Sequence, residues 1–185
     1  MIDKDVALVI IDVQKDYFNG GNYPLHKAEK ALTNTRLVLE SFRASKRPIF
    51  HIQHISLKEE ATFFKRNTRG VEIHLDLEPL EDEYHIIKHY PNAFLETELK
   101  QKIDEHNIKT LIICGMMSHH CIDTSVRVAK ELGYQVYLLH DACASRSLSF
   151  KGEILEAHLV HDVFMASLQA FATVLSTKKL LSQIE

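Results

Sequence analysis

A chain of 185 residues fits one domain, here residues 1–185, and a domain of that length buries roughly 70% of its unfolded surface without metal or disulfide staples. A net charge of −3 and the lack of any basic run or basic-aromatic stripe exclude the usual nucleic-acid and membrane surfaces and leave a small-molecule partner. Three cysteines, Cys114, Cys121 and Cys143, show no CxxC spacing, so free thiols are expected rather than a disulfide framework or a zinc knuckle.

The chain opens MIDKDVALVIID, acidic where a leader peptide is basic and with an apolar run too short to span a membrane, so a cytoplasmic protein is expected. Within it Val6–Ile11 is continuously apolar and ends at Asp12, the pattern of a strand covered on both faces. Residues 29–45 then carry helical periodicity through Ala31, Leu32, Thr35, Leu39 and Phe42. Pro48 precedes a strand at residues 49–53, and a third strand is predicted at Tyr84–Lys88. Between them residues 56–82 form a long irregular stretch, which in a compact domain is a lid, a binding loop or a subunit contact. A helix over residues 95–106 follows, then a strand at 110–114, a helix at 120–132 closed by Gly133, and a strand at 135–140. Helical spacing at 153–170, a short strand at Thr173–Leu175 and a helical turn at 178–181 complete the chain.

Alternating strands and helices with continuous apolar strands predict an α/β fold, a Rossmann-like three-layer sandwich whose central six-stranded, mostly parallel sheet is flanked by helices. Ligands in such folds sit beyond the carboxyl ends of the strands, where the strand order reverses. Asp12, Lys88, Cys121 and Asp141 all fall at such ends. A cysteine at a strand-to-helix turn meets unpaired N–H groups and the positive end of the helix dipole, so the position predicts an easily ionised thiol. A buried space-filling role is the alternative for a cysteine considered alone.

Four segments carry a resemblance: ALVIIDVQKDYF at residues 7–18, EIHLDLEP at 72–79, IIKHYPNAFLETEL at 86–99, and LIICGMMSHHCIDTSVRVAKELGYQVYLLHDACAS at 111–145. Together they resemble the isochorismatase-like cysteine hydrolases, the superfamily that includes nicotinamidases and N-carbamoyl amide hydrolases. The resemblance implies a catalytic triad of Asp12, Lys88 and Cys121, an oxyanion hole built from the backbone N–H groups of Met117 and Cys121, and a cis Met116–Met117 peptide bond. It also implies a homo-oligomer, a dimer or tetramer. The chemistry has its own logic: a neutral thiol needs a base, a carboxylate can take its proton and return it to a leaving amine, and a lysine favours both anions.

The expected reaction is hydrolysis of a small-molecule amide, lactam or carbamoyl C–N bond through a thioester on Cys121, with no cofactor and no metal. His51, His54 and His74 invite a metal reading. However, the nicotinamidase Asp-x-His pattern is replaced by HIQHIS, and strand alternation puts His51 and His54 on opposite faces. Gln14, Asp16, Phe18, Phe64, Tyr90, Phe94, Met116, His119 and His120 are candidate pocket residues, with Phe63 as a further wall. Asp16 is read as a partner of Lys88 or of pocket water, or as a helix cap, and Arg66 and Arg69 as cations that could meet a substrate carboxylate or be merely solvated. An enol-ether or ester hydrolase is the alternative among enzymes. A non-catalytic small-ligand-binding module is the alternative outside them, disfavoured because no G-x-G-x-x-G or P-loop follows any strand.

Overall fold

The computed structural model describes residues 5–184; residues 1–4, the start of the segment tested above for a leader, and Glu185 lie outside the described residues. Six strands form one sheet: β1 (Val6–Ile11), β2 (Ile49–His54), β3 (Tyr84–Lys88), β4 (Thr110–Met116), β5 (Gln135–Ala144) and, last in the chain, β8 (Thr173–Leu175). Their order is β3-β2-β1-β4-β5-β8 and every pairing is parallel. The strand order therefore reverses between β1 and β4, at the centre of the sheet.

Both faces are covered, which is why β1 is apolar throughout, β4 is so at every position after Thr110, and both are fully buried. On one face α1 (Ala28–Ala44) and α5 (Thr177–Ile184) pack Leu32, Val38, Leu39, Phe42 and Leu180 over the even-numbered residues of β1. On the other, α2 (Leu99–Glu105), α3 (Asp123–Glu131) and α4 (Ala157–Leu168) pack Leu99, Ile103, Val126 and Leu168 over the odd-numbered ones.

Among the element boundaries that differ from the sequence reading, three have a plain local reason. The helix expected from residue 95 begins at Leu99, because Glu96 takes a left-handed φ of 55° that a helix does not admit. The helix expected from residue 153 begins at Ala157, and Glu153–Leu155 is a strand, β7, paired antiparallel with β6 (Leu148–Phe150). Lys151 and Gly152 both have positive φ, the backbone of a tight two-residue hairpin turn. Finally, β5 runs on past residue 140, with the Asp141 carboxylate accepting hydrogen bonds from the Thr177 N–H and hydroxyl at 2.8 Å.

Candidate active site

Four adjacent strands, β3, β2, β1 and β4, each deliver one side chain to the same carboxyl edge: Lys88, His54, Asp12 and, on the turn after β4, Cys121. Asp12 is the first residue beyond β1. Its left-handed φ of 53° costs about 1 kcal/mol, least for Asp and Asn among residues with a Cβ, and the turn is held by Asp12 N–H donating to the Ile52 carbonyl at 2.9 Å. Gly115 flanks it on β4. A Cβ there would stand 2.0 Å from the Ile11 carbonyl oxygen, so only glycine lets the two strands close at this point.

After β4 the Met116–Met117 peptide bond is cis, and residues Ser118–Ile122 form a wide turn in which the Ile122 N–H donates five residues back to the Met117 carbonyl at 3.2 Å. Cys121 sits in this turn, two residues before α3, and is almost fully buried.

The Lys88 ammonium is the hub. Its Nζ lies 2.7 Å from Asp12 Oδ2, 2.9 Å from His54 Nδ1, 3.0 Å from the Tyr90 carbonyl oxygen and 3.2 Å from Cys121 Sγ. Four acceptors share three protons, and a neutral thiol is the weakest of them. Burial by itself would lower the Lys88 pKa, but attraction to Asp12 and Cys121 outweighs it and holds the ammonium above its ordinary range. For Cys121 burial leads the other way: desolvation and the Asp12 charge push the thiol far above its usual range against the pull of Lys88. The ionised thiol expected from a helix start is therefore replaced by a neutral one at rest, because desolvating a charge costs several kcal/mol and a helix terminus returns at most about 2.

Burial, followed by the Lys88 charge, lowers His54 to about 4, so the imidazole is neutral. The Asp12, His54 and Cys121 donor atoms lie within 4.8 Å of one another, a spacing a metal could bridge, but the Lys88 ammonium already contacts all three residues. That cation makes the group a poor metal cradle. His51 instead bonds Glu83 at 2.8 Å, and His74 packs on Phe18 with ring centroids 4.5 Å apart.

Above Cys121 opens a cavity of about 580 Å³ lined by Tyr17, His54, Phe63, Phe64, Tyr90 and His120 among others, with residues 56–64 of the long loop as its outer wall. Of the two candidate histidines His120 faces it, with Nδ1 3.5 Å from Sγ. His119 turns away to the Ser145 hydroxyl at 2.7 Å. Several expected pocket residues lie elsewhere. Phe18 is buried under His74, Phe94 stacks on Tyr134, Met116 is wholly within the core, and Arg66 and Arg69 stay off the cavity wall.

Gln14 and Asp16 do not line the cavity but hold what does. The Gln14 amide accepts from the His54 N–H at 2.8 Å and donates to the His54 carbonyl at 2.9 Å, clamping that residue's backbone. Asp16 is no partner of Lys88; its carboxylate accepts from the N–H groups of Phe64 at 2.6 Å and Asn22 at 3.1 Å and so pins the loop. The sequence offers His54 only as a metal ligand, a role its neighbours do not support. The signal that could have found it is its place at the end of β2, matching those of Asp12 and Lys88.

A family model described as the isochorismatase domain matches residues 6–179. The isochorismatase family protein YddQ of Bacillus subtilis strain 168 is 47% identical over 176 residues, covering 95% of this chain and 98% of its own. A streptothricin hydrolase of Streptomyces noursei is 31% identical over 139 residues, covering 75% of this chain and 49% of its own. Among solved structures, an isochorismatase of Pseudomonas putida KT2440 matches with a TM-score of 0.89 at 37% identity, covering 95% of this chain and 90% of its own.

Proposed function

The chain belongs to the isochorismatase family of hydrolases, and on that footing we propose that it cleaves a small-molecule amide, lactam or carbamoyl C–N bond by way of a thioester on Cys121. The observation that carries this reading is the single buried ammonium of Lys88 in contact with both Asp12 and Cys121 at the floor of a cavity. The similarity to a protein named streptothricin hydrolase supports hydrolysis of a small molecule.

In the proposed cycle Cys121 Sγ bonds to the carbonyl carbon while its proton passes to Asp12 and the carbonyl π pair moves to oxygen. The oxyanion is received by the backbone N–H groups of Met117 and Cys121. The C–N bond then breaks, the Asp12 proton goes to nitrogen, and the amine or ammonia leaves. Asp12 next takes a proton from water, the hydroxide displaces sulfur from the thioester, and the proton returns to Sγ as the carboxylic acid departs.

Lys88 makes the first step feasible in a dry site. When the proton moves from sulfur to Asp12 the negative charge moves from oxygen to sulfur, and the same ammonium is 2.7 Å from one and 3.2 Å from the other. No charge is left unpaired at either stage. An acyl reaction also suits a thiol better than enol-ether hydrolysis, which needs no nucleophile of this kind. A homo-oligomer is part of the reading, supported by Phe150 and Ile154 standing exposed on the β6–β7 hairpin.

Amine or ammonia release from a panel of amides, lactams and carbamoyl compounds tests the proposal. Turnover by the wild-type protein, an acyl adduct on Cys121 in intact mass, and loss of both in Cys121→Ala are expected. A fully active Cys121→Ala protein would overturn it.

A further inference from the structure

Lysine only donates, so the 2.9 Å contact between Lys88 Nζ and His54 Nδ1 fixes Nδ1 as the acceptor and puts the proton of the neutral imidazole on Nε2. The Lys88 contact holds the ring, on a backbone that is itself fixed. His54 and Lys88 are registered neighbours on parallel strands, and Gln14 grips the His54 backbone on both sides. His54 also lines the cavity beside Cys121, and its Nε2 has no hydrogen-bond partner among the described residues. A fixed, uncharged N–H donor thus faces the space next to the nucleophile. His89, on the same wall, is oriented oppositely: its Nδ1–H donates to the Ile55 carbonyl at 2.7 Å.

We infer that His54 Nε2–H is a specificity-determining donor that selects substrates carrying a hydrogen-bond acceptor on the atom adjacent to the scissile carbonyl, on a flat apolar body. The inference rests on the reading of this cavity as the substrate site of an acyl hydrolase. The apolar body follows from the wall beside it: the Phe64 ring lies 5.8 Å from that of His54 and joins Tyr17 and Phe63 in one aromatic cluster with centroids 4.6 to 6.0 Å apart. An acceptor that meets Nε2–H replaces the water bond the donor gives up. A methylene in the same place leaves the donor unpaired, which is the stronger form of discrimination. The low basicity of His54 supports this assignment, since the ring stays a donor at Nε2 and an acceptor at Nδ1 throughout the neutral pH range.

The test uses two probes of matched size, 2-oxo-2-phenylacetamide and 2-phenylacetamide, which differ in C=O against CH₂ beside the amide carbonyl. Binding of each to the Cys121→Ala protein is measured by calorimetry, then repeated with His54→Phe and His54→Gln added. The oxo amide is expected to bind about tenfold more tightly, with the preference lost in the Phe variant and largely kept in the Gln variant, which retains an acceptor for Lys88 and a donor for the cavity.

Equal binding of the two probes, no binding of either, or a preference surviving in His54→Phe would overturn the inference. ¹⁵N NMR of the histidine rings supplies a readout independent of ligand: a protonated Nδ1 on His54 would overturn it as well. Release of ammonia by the protein with Cys121 intact is scored separately. A binding preference without turnover of either these probes or the wider amide, lactam and carbamoyl panel would sink the C–N hydrolysis reading and leave the donor assignment standing.

Discussion

Sγ of Cys121 is placed where it gives up its proton reluctantly. Burial first, and the neighbouring carboxylate second, oppose ionisation, and Lys88 alone favours it. Alkylation by iodoacetamide at pH 7.5 is therefore expected to be slower than for a solvent thiol and slower still in Lys88→Met; faster alkylation of that variant would contradict the role given to the ammonium. Asp12→Asn removes both the base and the counter-charge of a fully buried lysine. Turnover is expected to fall by roughly 10² to 10⁴ and stability by about 3–5 kcal/mol, read by amine release and by denaturant unfolding. The carboxylate suits proton transfer because Lys88 holds Oδ2 at 2.7 Å while Oδ1 has no hydrogen-bond partner among the described residues and is free to take a proton.

Among the elements, the loop over residues 56–82 carries the substrate wall and is held by few points. Asp16 binds the Phe64 N–H, and Gly70 lies so close that a Cβ would stand 2.0 Å from Asp16 Oδ1. Gly70→Ala should displace that carboxylate, cost about 1–3 kcal/mol and speed proteolytic cutting within residues 56–71, with wild-type protection the contrary result. This same stretch shows where the sequence stops being legible. The sheet strands were readable because a strand covered on both faces is apolar at every position, as Val6–Ile11 is. Asp12, Lys88 and Cys121 were readable because each stands at the end of such a run or within an extended motif. Leu148–Phe150, with a serine between its two apolar residues, carries too little pattern, and the helical spacing that begins at Glu153 hid β7. The Phe64 partner of Asp16 and the His54 partner of Gln14 lie 40 or more residues away, a distance that local pattern does not encode. The protonation of Cys121 depends on burial, which neighbouring letters do not state.

For the whole molecule, histidines set the acid limit of stability. Burial lowers both His54 and His119 to about 4, against about 6.5 in an unfolded chain. As pH falls from 6.5 toward 4 the unfolded chain takes up protons that the folded one refuses, so this stability is present above pH 6.5 and lost on acidification. The loss is at most about 1.4 kcal/mol per pH unit per histidine, and less for His119, which solvent partly screens. Urea unfolding at pH 7 and pH 5 should show the decline, and a flat profile would refute it. In sedimentation the protein is expected to run heavier than one chain, and Phe150→Glu combined with Ile154→Glu to shift it toward the monomer. No helix among the described residues is long and apolar enough to cross a membrane. The anchoring of the loop has one more consequence. Ile55 is tied to the Lys88 carbonyl at 3.0 Å, and Phe64 is tied to Asp16 and to the Ser56 N–H, so the loop wall is fastened at both ends. Residues 57–63 between those ties can change in length and character without moving the reacting groups. Substrate range can therefore drift by mutation while the chemistry is inherited intact, as in a tool with a fixed grip and exchangeable jaws.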